Sequence, residues 1–115
     1  SSHLKYFSEI ITYENVSKHK PFPDAYKLAL QLSKESEVNC IAIEDSMIGV
    51  KAAKAANLNC ILTLPPWYCS THNISREANA CVNSLGNKDV TSKLIYGKKL
   101  IRNIVDFEYL SSIIN

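Results

Sequence analysis

Residues 40–64, CIAIEDSMIGVKAAKAANLNCILTL, decide the fold. The two ends of this stretch, Asn39-Cys40-Ile41-Ala42-Ile43 and Asn59-Cys60-Ile61-Leu62-Thr63-Leu64, are short, apolar and β-prone. Neither alternates between apolar and polar residues, so each reads as a strand covered on both faces. Between them, Ser46 to Asn57 is rich in Ala and Lys. Val50, Ala53 and Ala56 recur at helical spacing, with Lys51 and Lys54 offset from them. Ser46 suits an N-cap, and Asn57 tolerates the left-handed conformation that ends a helix. The stretch is therefore a β-α-β unit, with parallel strands and a right-handed crossover.

The same rhythm extends outward. Upstream, Ile10-Ile11-Thr12-Tyr13 reads as a strand, and Pro23 suits the first turn of a helix running to about Lys34. Tyr26, Leu28, Ala29, Leu30 and Leu32 supply the apolar surface of that helix. Downstream, Pro65-Pro66-Trp67-Tyr68 reads as loop, because two prolines cannot continue a central strand. Ala80-Cys81-Val82 is a short strand candidate. Asp106 caps a terminal helix reaching Ile114, with Phe107, Leu110 and Ile114 on one face. Residues 84–99 carry no assignable pattern. The fold class is α/β: a partial Rossmann-like sheet of three or four parallel strands with flanking helices, in three α/β/α layers. Doubly wound sheets usually have five strands or more, so the reading favours part of a larger core over a small complete domain.

Composition bounds the alternatives. With 115 residues, 46% of them hydrophobic and 21% charged, the chain suits one small globular domain and excludes a disordered one. No apolar run approaches the roughly 20 residues of a membrane span, and no basic stretch leads into an apolar block as in a signal peptide. A net charge of +2, without a basic stripe interleaved with aromatics, argues against nucleic acid as a partner. Lys98, Lys99 and Arg102 read as a solvated face. Cys40 and Cys60 each open an apolar run, and no cysteine pair has zinc-knuckle spacing. Four reduced thiols in a cytoplasmic protein are expected. Cys69-x-x-His72 lacks the partners of a metal set.

Chemistry in a parallel α/β sheet gathers at the carboxyl ends of the strands. Glu44-Asp45-Ser46 lies there. Two adjacent carboxylates leaving a buried strand are desolvated and repel one another, and a divalent cation offsets both effects. Hard oxygen ligands completed by water and phosphate suit Mg²⁺. The helix starting at Ser46 aims its N-terminal dipole at the same spot, favouring an anion. Taken alone, Asp45 and Ser46 would serve equally as helix caps. The second feature is Lys18-His19-Lys20-Pro21-Phe22-Pro23-Asp24. Its Lys20, fixed by the following proline, can present an ammonium to a phosphate. Taken alone, this segment reads as a solvated basic loop.

Together the two features are more specific. Lys20-Pro21-x-Pro23-Asp24, followed about twenty residues later by Glu44-Asp45-Ser46-x-x-Gly49, resembles the haloacid dehalogenase (HAD) superfamily of phosphohydrolases. The likeness is closest to the branch of β-phosphoglucomutase, phosphoglycolate phosphatase and the CbbY-like sugar-phosphate phosphatases. It covers roughly residues 6–64 and extends through Val50 to Leu58, where that branch usually has Gly at the position of Asn57.

The resemblance implies that Lys20 is a catalytic residue that contacts the transferring phosphoryl group, with Lys18 a weaker candidate. It implies Asp45 as a Mg²⁺ ligand, with Glu44 beside it directly or through water. Ser46 and Gly49 would support the site. It implies an aspartate nucleophile in an Asp-x-Asp motif, and a mobile cap domain that selects the substrate. Asp24, Asp45, Asp89 and Asp106 are the only aspartates, and no two are separated by a single residue. The chain thus reads, over residues 1–115, as the C-terminal portion of a HAD-like core that lacks the nucleophile motif and the cap. The expected function is that of a Mg²⁺-dependent phosphohydrolase acting on a small phosphorylated metabolite through an aspartyl-phosphate, with this chain alone inactive. A β-phosphoglucomutase-type phosphomutase and a non-catalytic HAD-like binding module remain alternatives.

Overall fold

The computed structural model describes residues 16–115, so the strand expected at Ile10–Tyr13 lies outside the described residues. The β-α-β unit forms as β1 (Ile41–Glu44), α2 (Met47–Ala55) and β2 (Asn59–Thr63), preceded by α1 (Asp24–Ser33). The strands pair in parallel, with Ile41 opposite Asn59 and Glu44 opposite Leu62. The Ser46 hydroxyl accepts from the Gly49 N–H at 3.1 Å, which satisfies one of the orphan donors at the start of α2. At the other end Asn57 takes φ 62°, its N–H donating to the Lys54 carbonyl and the Leu58 N–H to the Ala53 carbonyl. This is the Schellman termination that glycine normally serves.

Beyond β2 come α3 (Pro66–Thr71), β3 (Ala80–Val82), β4 (Leu94–Gly97) and α4 (Phe107–Ile114). The sheet order is β1-β2-β3-β4. Three points correct the sequence reading. Pro65–Tyr68 is not simply loop, because Pro66 opens a short helix. Proline is tolerated there, since the first turn of a helix has no partner for its N–H. The sheet is not wholly parallel either: β3 is parallel to β2, but β4 is antiparallel to β3. Its last residue, Gly97, has φ 99°, and a Cβ there would lie 2.4 Å from the Asn79 carbonyl oxygen. In α4, Asp106 caps as expected by accepting from the Tyr109 N–H, but the buried residue is Tyr109, while Phe107 is 40% exposed.

Side-chain alternation along the strands divides the core in two. On one face Ala42, Cys60, Leu62 and Cys81 pack with Val50 and Ala53 of α2 and with Ala56 at its C-cap, joined by Tyr26 and Leu30 of α1 and by Tyr68 and Cys69 of α3. On the other, Ile61, Ala80 and Val82 pack with Tyr109, Leu110 and Ile113 of α4. Helices thus flank both faces, the three-layer arrangement expected from two doubly apolar strands. None of the four cysteines is in a disulfide. Among the described residues, no helix is long and apolar enough to cross a membrane.

Two measurements check this packing. The Tyr109 hydroxyl donates to the Lys98 carbonyl at 2.6 Å from a fully buried ring. Tyr109→Phe should cost about 1 kcal/mol in urea unfolding, and Tyr109→Ala about 3–5 kcal/mol through the cavity it leaves. Burial pushes the Cys60 and Cys81 thiols up from 9.0 to about 11, with Glu44 adding to the effect at Cys60 and Cys69 at Cys81. The folded chain therefore retains protons that the unfolded chain releases, so this contribution is complete below pH 9.0 and is lost as pH rises through about 11. Replacing both cysteines with alanine should flatten the alkaline fall in unfolding free energy.

Candidate active site

The carboxyl ends of β1, β2 and β3 share one rim of the sheet. Glu44 is the last residue of β1 rather than the first beyond it. Strand periodicity therefore turns its side chain to the same face as Ala42, toward α1 and α2. It is 6% exposed. A carboxylate so buried requires partners, and Lys20 supplies the charge: its Nζ lies 3.0 Å from Oε1 and 3.1 Å from Oε2. Lys20 comes from the turn before α1, where the Phe22 N–H donates to the His19 carbonyl. The lysine side chain remains 44% exposed, with its ammonium reaching the rim. The Tyr26 hydroxyl, from the first turn of α1, also donates to Glu44 Oε2. Its ring lies 5.9 Å from the Lys20 nitrogen.

Gly49 completes the enclosure. A Cβ at this position would sit 1.8 Å from Glu44 Oε1 and 2.4 Å from its carboxyl carbon. At the first turn of α2, the glycine makes room for the carboxylate itself.

Asp45 takes a different direction. It is exposed and lines an open cleft of about 360 Å³ together with Thr63, Leu64, Pro65, Asn83, Ser84 and Leu85. Thr63, at the end of β2, donates from Oγ1 to the Glu44 carbonyl at 3.4 Å. Asn83, just past β3, is held by Lys93: its N–H donates to the Lys93 carbonyl and its Oδ1 accepts from the Lys93 N–H. The structure thus brings Lys20, Glu44 and Gly49 together, while Asp45 fronts the adjacent cleft with Ser46 capping the helix behind it. Lys18 points elsewhere, its nitrogen 5.4 Å from the Phe22 ring centre. His72 stacks on Tyr68 at 4.0 Å, and Cys69, within α3, packs against the core. Trp67 is 65% exposed. Among the described residues, no cluster of three or more His, Cys, Asp or Glu side chains is placed to hold a metal.

Sequence reasoning missed Tyr26, counted only for its apolar ring, and Thr63 and Asn83, which carry no motif. Their polar positions at strand and helix ends on the same rim are the signal that could have marked them.

A pinned lysine-glutamate pair thus stands beside an open aspartate at the carboxyl end of a parallel α/β sheet. Residues 2–63, more than half of the chain, match the family model of haloacid dehalogenase-like hydrolases, and the chain belongs to that family. Within it, the chain falls in the CbbY-like branch. It is 38% identical over 79 residues to a bifunctional riboflavin kinase/FMN phosphatase of Arabidopsis thaliana, a match covering 69% of this chain and 20% of the relative. It is 35% identical over 78 residues to the protein CbbY of Cereibacter sphaeroides, covering 68% and 33%. It is 32% identical over 56 residues to the fructose-1-phosphate phosphatase YqaB of Escherichia coli, covering 49% and 30%. The chain therefore spans only a fifth to a third of the length of these relatives.

The steric argument at Gly49 can be measured. Alanine would favour the helix by about 1 kcal/mol, yet it must displace a carboxylate held by Lys20 and Tyr26, and breaking a buried pair costs about 3–5 kcal/mol. Gly49→Ala should therefore destabilise by roughly 2–4 kcal/mol in urea unfolding. In a Glu44→Ala background the same substitution should be neutral or stabilising, and a double-mutant cycle reads the difference.

Proposed function

We propose that this chain carries the phosphate- and metal-contacting part of a Mg²⁺-dependent phosphohydrolase acting on a small phosphorylated metabolite, with a sugar phosphate the favoured class. One observation carries the reading: the Lys20 ammonium sits 3.0 Å from Glu44 at the end of β1, next to an exposed Asp45 at the mouth of a cleft. The phosphatase names of two relatives, one of them a fructose-1-phosphate phosphatase, support the substrate class.

The division of labour follows from the donors. An ammonium has three N–H groups, and Glu44 accepts from Lys20 on both carboxylate oxygens. A remaining N–H on this half-exposed side chain is left for a phosphoryl oxygen. Glu44 keeps that nitrogen from swinging away, and Gly49 and Ser46 keep the start of α2 close behind. Asp45 offers an open carboxylate in a cleft lined by the oxygen-bearing Thr63, Asn83 and Ser84, a donor set that fits a hard cation. Mg²⁺ held there by Asp45 would neutralise charge on the phosphoryl oxygens, with Glu44, both of whose oxygens accept from Lys20, reaching it no more closely than through water. In this reading an aspartate from outside this sequence attacks phosphorus, and the bond to the leaving alcohol breaks as an aspartyl-phosphate forms. Water then releases phosphate and restores the carboxylate.

This chain alone should show no turnover of p-nitrophenyl phosphate with Mg²⁺, and Asp45-dependent turnover by it would overturn the assigned division. In the complete protein, Lys20→Ala should lower kcat by about 10²–10³-fold, the usual loss for a group that stabilises transition-state charge. Asp45→Asn should raise the Mg²⁺ concentration needed for activity. An unchanged kcat in Lys20→Ala would sink the reading.

A further inference from the structure

We propose that Tyr26 is a positioning residue of this site, acting through Glu44 to hold the Lys20 ammonium at the rim. The inference rests on the phosphohydrolase reading for its catalytic consequence, but its geometry stands apart from that reading. Glu44 is almost fully buried, and its carboxylate has two sources of hydrogen bonds: Lys20, on both oxygens, and the Tyr26 hydroxyl, on Oε2. Gly49 closes the space on the Oε1 side, since even a methyl group would overlap that oxygen. Glu44 is thus confined on one side by a backbone and on the other by a phenol.

Lys20 comes from a turn and is half exposed, and the following proline restricts its backbone but not the flexible four-carbon stem that carries the nitrogen. Its position is set by the carboxylate it grips. A carboxylate free to rotate would carry the ammonium with it, and the phenol blocks that rotation. Tyr26 is suited to the task because it stands in the first turn of α1, with its ring packed against the core beneath the sheet. The ring also faces the ammonium at 5.9 Å. Tyr26→Phe keeps both ring contacts and removes only the hydroxyl.

The experiment uses the complete natural protein and its Tyr26→Phe variant, with Leu30→Val as a control that trims the same face of α1 without touching Glu44. Two readouts are taken. The first is the NMR signal of the two methylene protons next to the Lys20 nitrogen, which differ in shift when the side chain is held and merge when it is free. Their separation should fall by at least half in Tyr26→Phe and persist in Leu30→Val. The second is hydrolysis of p-nitrophenyl phosphate: kcat should fall about tenfold in Tyr26→Phe with KM within twofold, and stay near wild type in Leu30→Val. A separation unchanged in Tyr26→Phe overturns the inference, as does an equal loss in both variants. Absence of turnover in the wild type would count against the phosphohydrolase reading alone, and the Lys20 signal would still decide for or against Tyr26.

Discussion

The structure depends on a carboxylate placed where water scarcely reaches. Glu44 ends β1 with its side chain turned into the layer beneath α1 and α2, and an ionised group there is costly unless its hydrogen bonds are made. Each neighbouring segment is arranged to meet that requirement. The turn before α1 supplies the cation, the first turn of α1 supplies a hydroxyl, and the first turn of α2 supplies the absence of a side chain. The pair joins residues 24 apart in sequence, so it also ties α1 to the sheet. This tie carries weight because α1 has no fully buried residue of its own. Tyr26 and Leu30 rest on the core without being enclosed by it.

The adjacent acid shows the opposite solution. Asp45 lies one residue past the strand, where the inward and outward alternation no longer applies, and it emerges into an open cleft. Two neighbouring carboxylates with like charge thereby acquire separate environments. One is neutralised by a cation belonging to the chain, and the other faces solvent and whatever cation solvent supplies. Separation of this kind lowers the cost of placing two acids side by side, since their mutual repulsion falls once one is paired. Our functional reading follows from this asymmetry: Glu44 fixes the lysine, and Asp45 remains available.

What the sequence made legible were features with local causes. Two doubly apolar runs around a helix of small residues give a parallel β-α-β unit wherever they occur, and Ser46, Asn57 and Asp106 act within a turn of their own positions. The family motif was legible for the same reason, because Lys20 and Glu44 lie in short, distinctive strings. What escaped depends on distant partners. β4 is four residues in a polar stretch, and it exists because β3 offers an open edge. α3 was obscured by its prolines, whose effect reverses between a strand and a helix start. Phe107 and Tyr109 are equally plausible anchors for α4 by periodicity. The buried one is decided by the Lys98 carbonyl that accepts the tyrosine hydroxyl. The hydroxyl of Tyr26 was invisible beside its ring for the same reason.

The antiparallel strand also bears on the site, although it carries no motif. Chain direction prevents β4 from bringing a carboxyl end to the rim where β1, β2 and β3 end, so it cannot add a residue there in the manner of a parallel strand. It brings its entry instead. Lys93, immediately before β4, grips Asn83 through both of its backbone polar groups, one bonding the Asn83 backbone and the other its side chain. Farther along, the Val105 N–H donates to the Leu85 carbonyl, closing the excursion back onto the cleft wall. Asn83, Ser84 and Leu85 are therefore fixed at both ends by a segment that never lines the cleft itself. An α/β rim that would otherwise end in an untethered loop after β3 is given a hydrogen-bonded wall in the cleft that Asp45 lines. The long polar stretch of residues 84–105 thus shapes the site through backbone hydrogen bonds, a contribution for which side-chain identity leaves no trace in sequence.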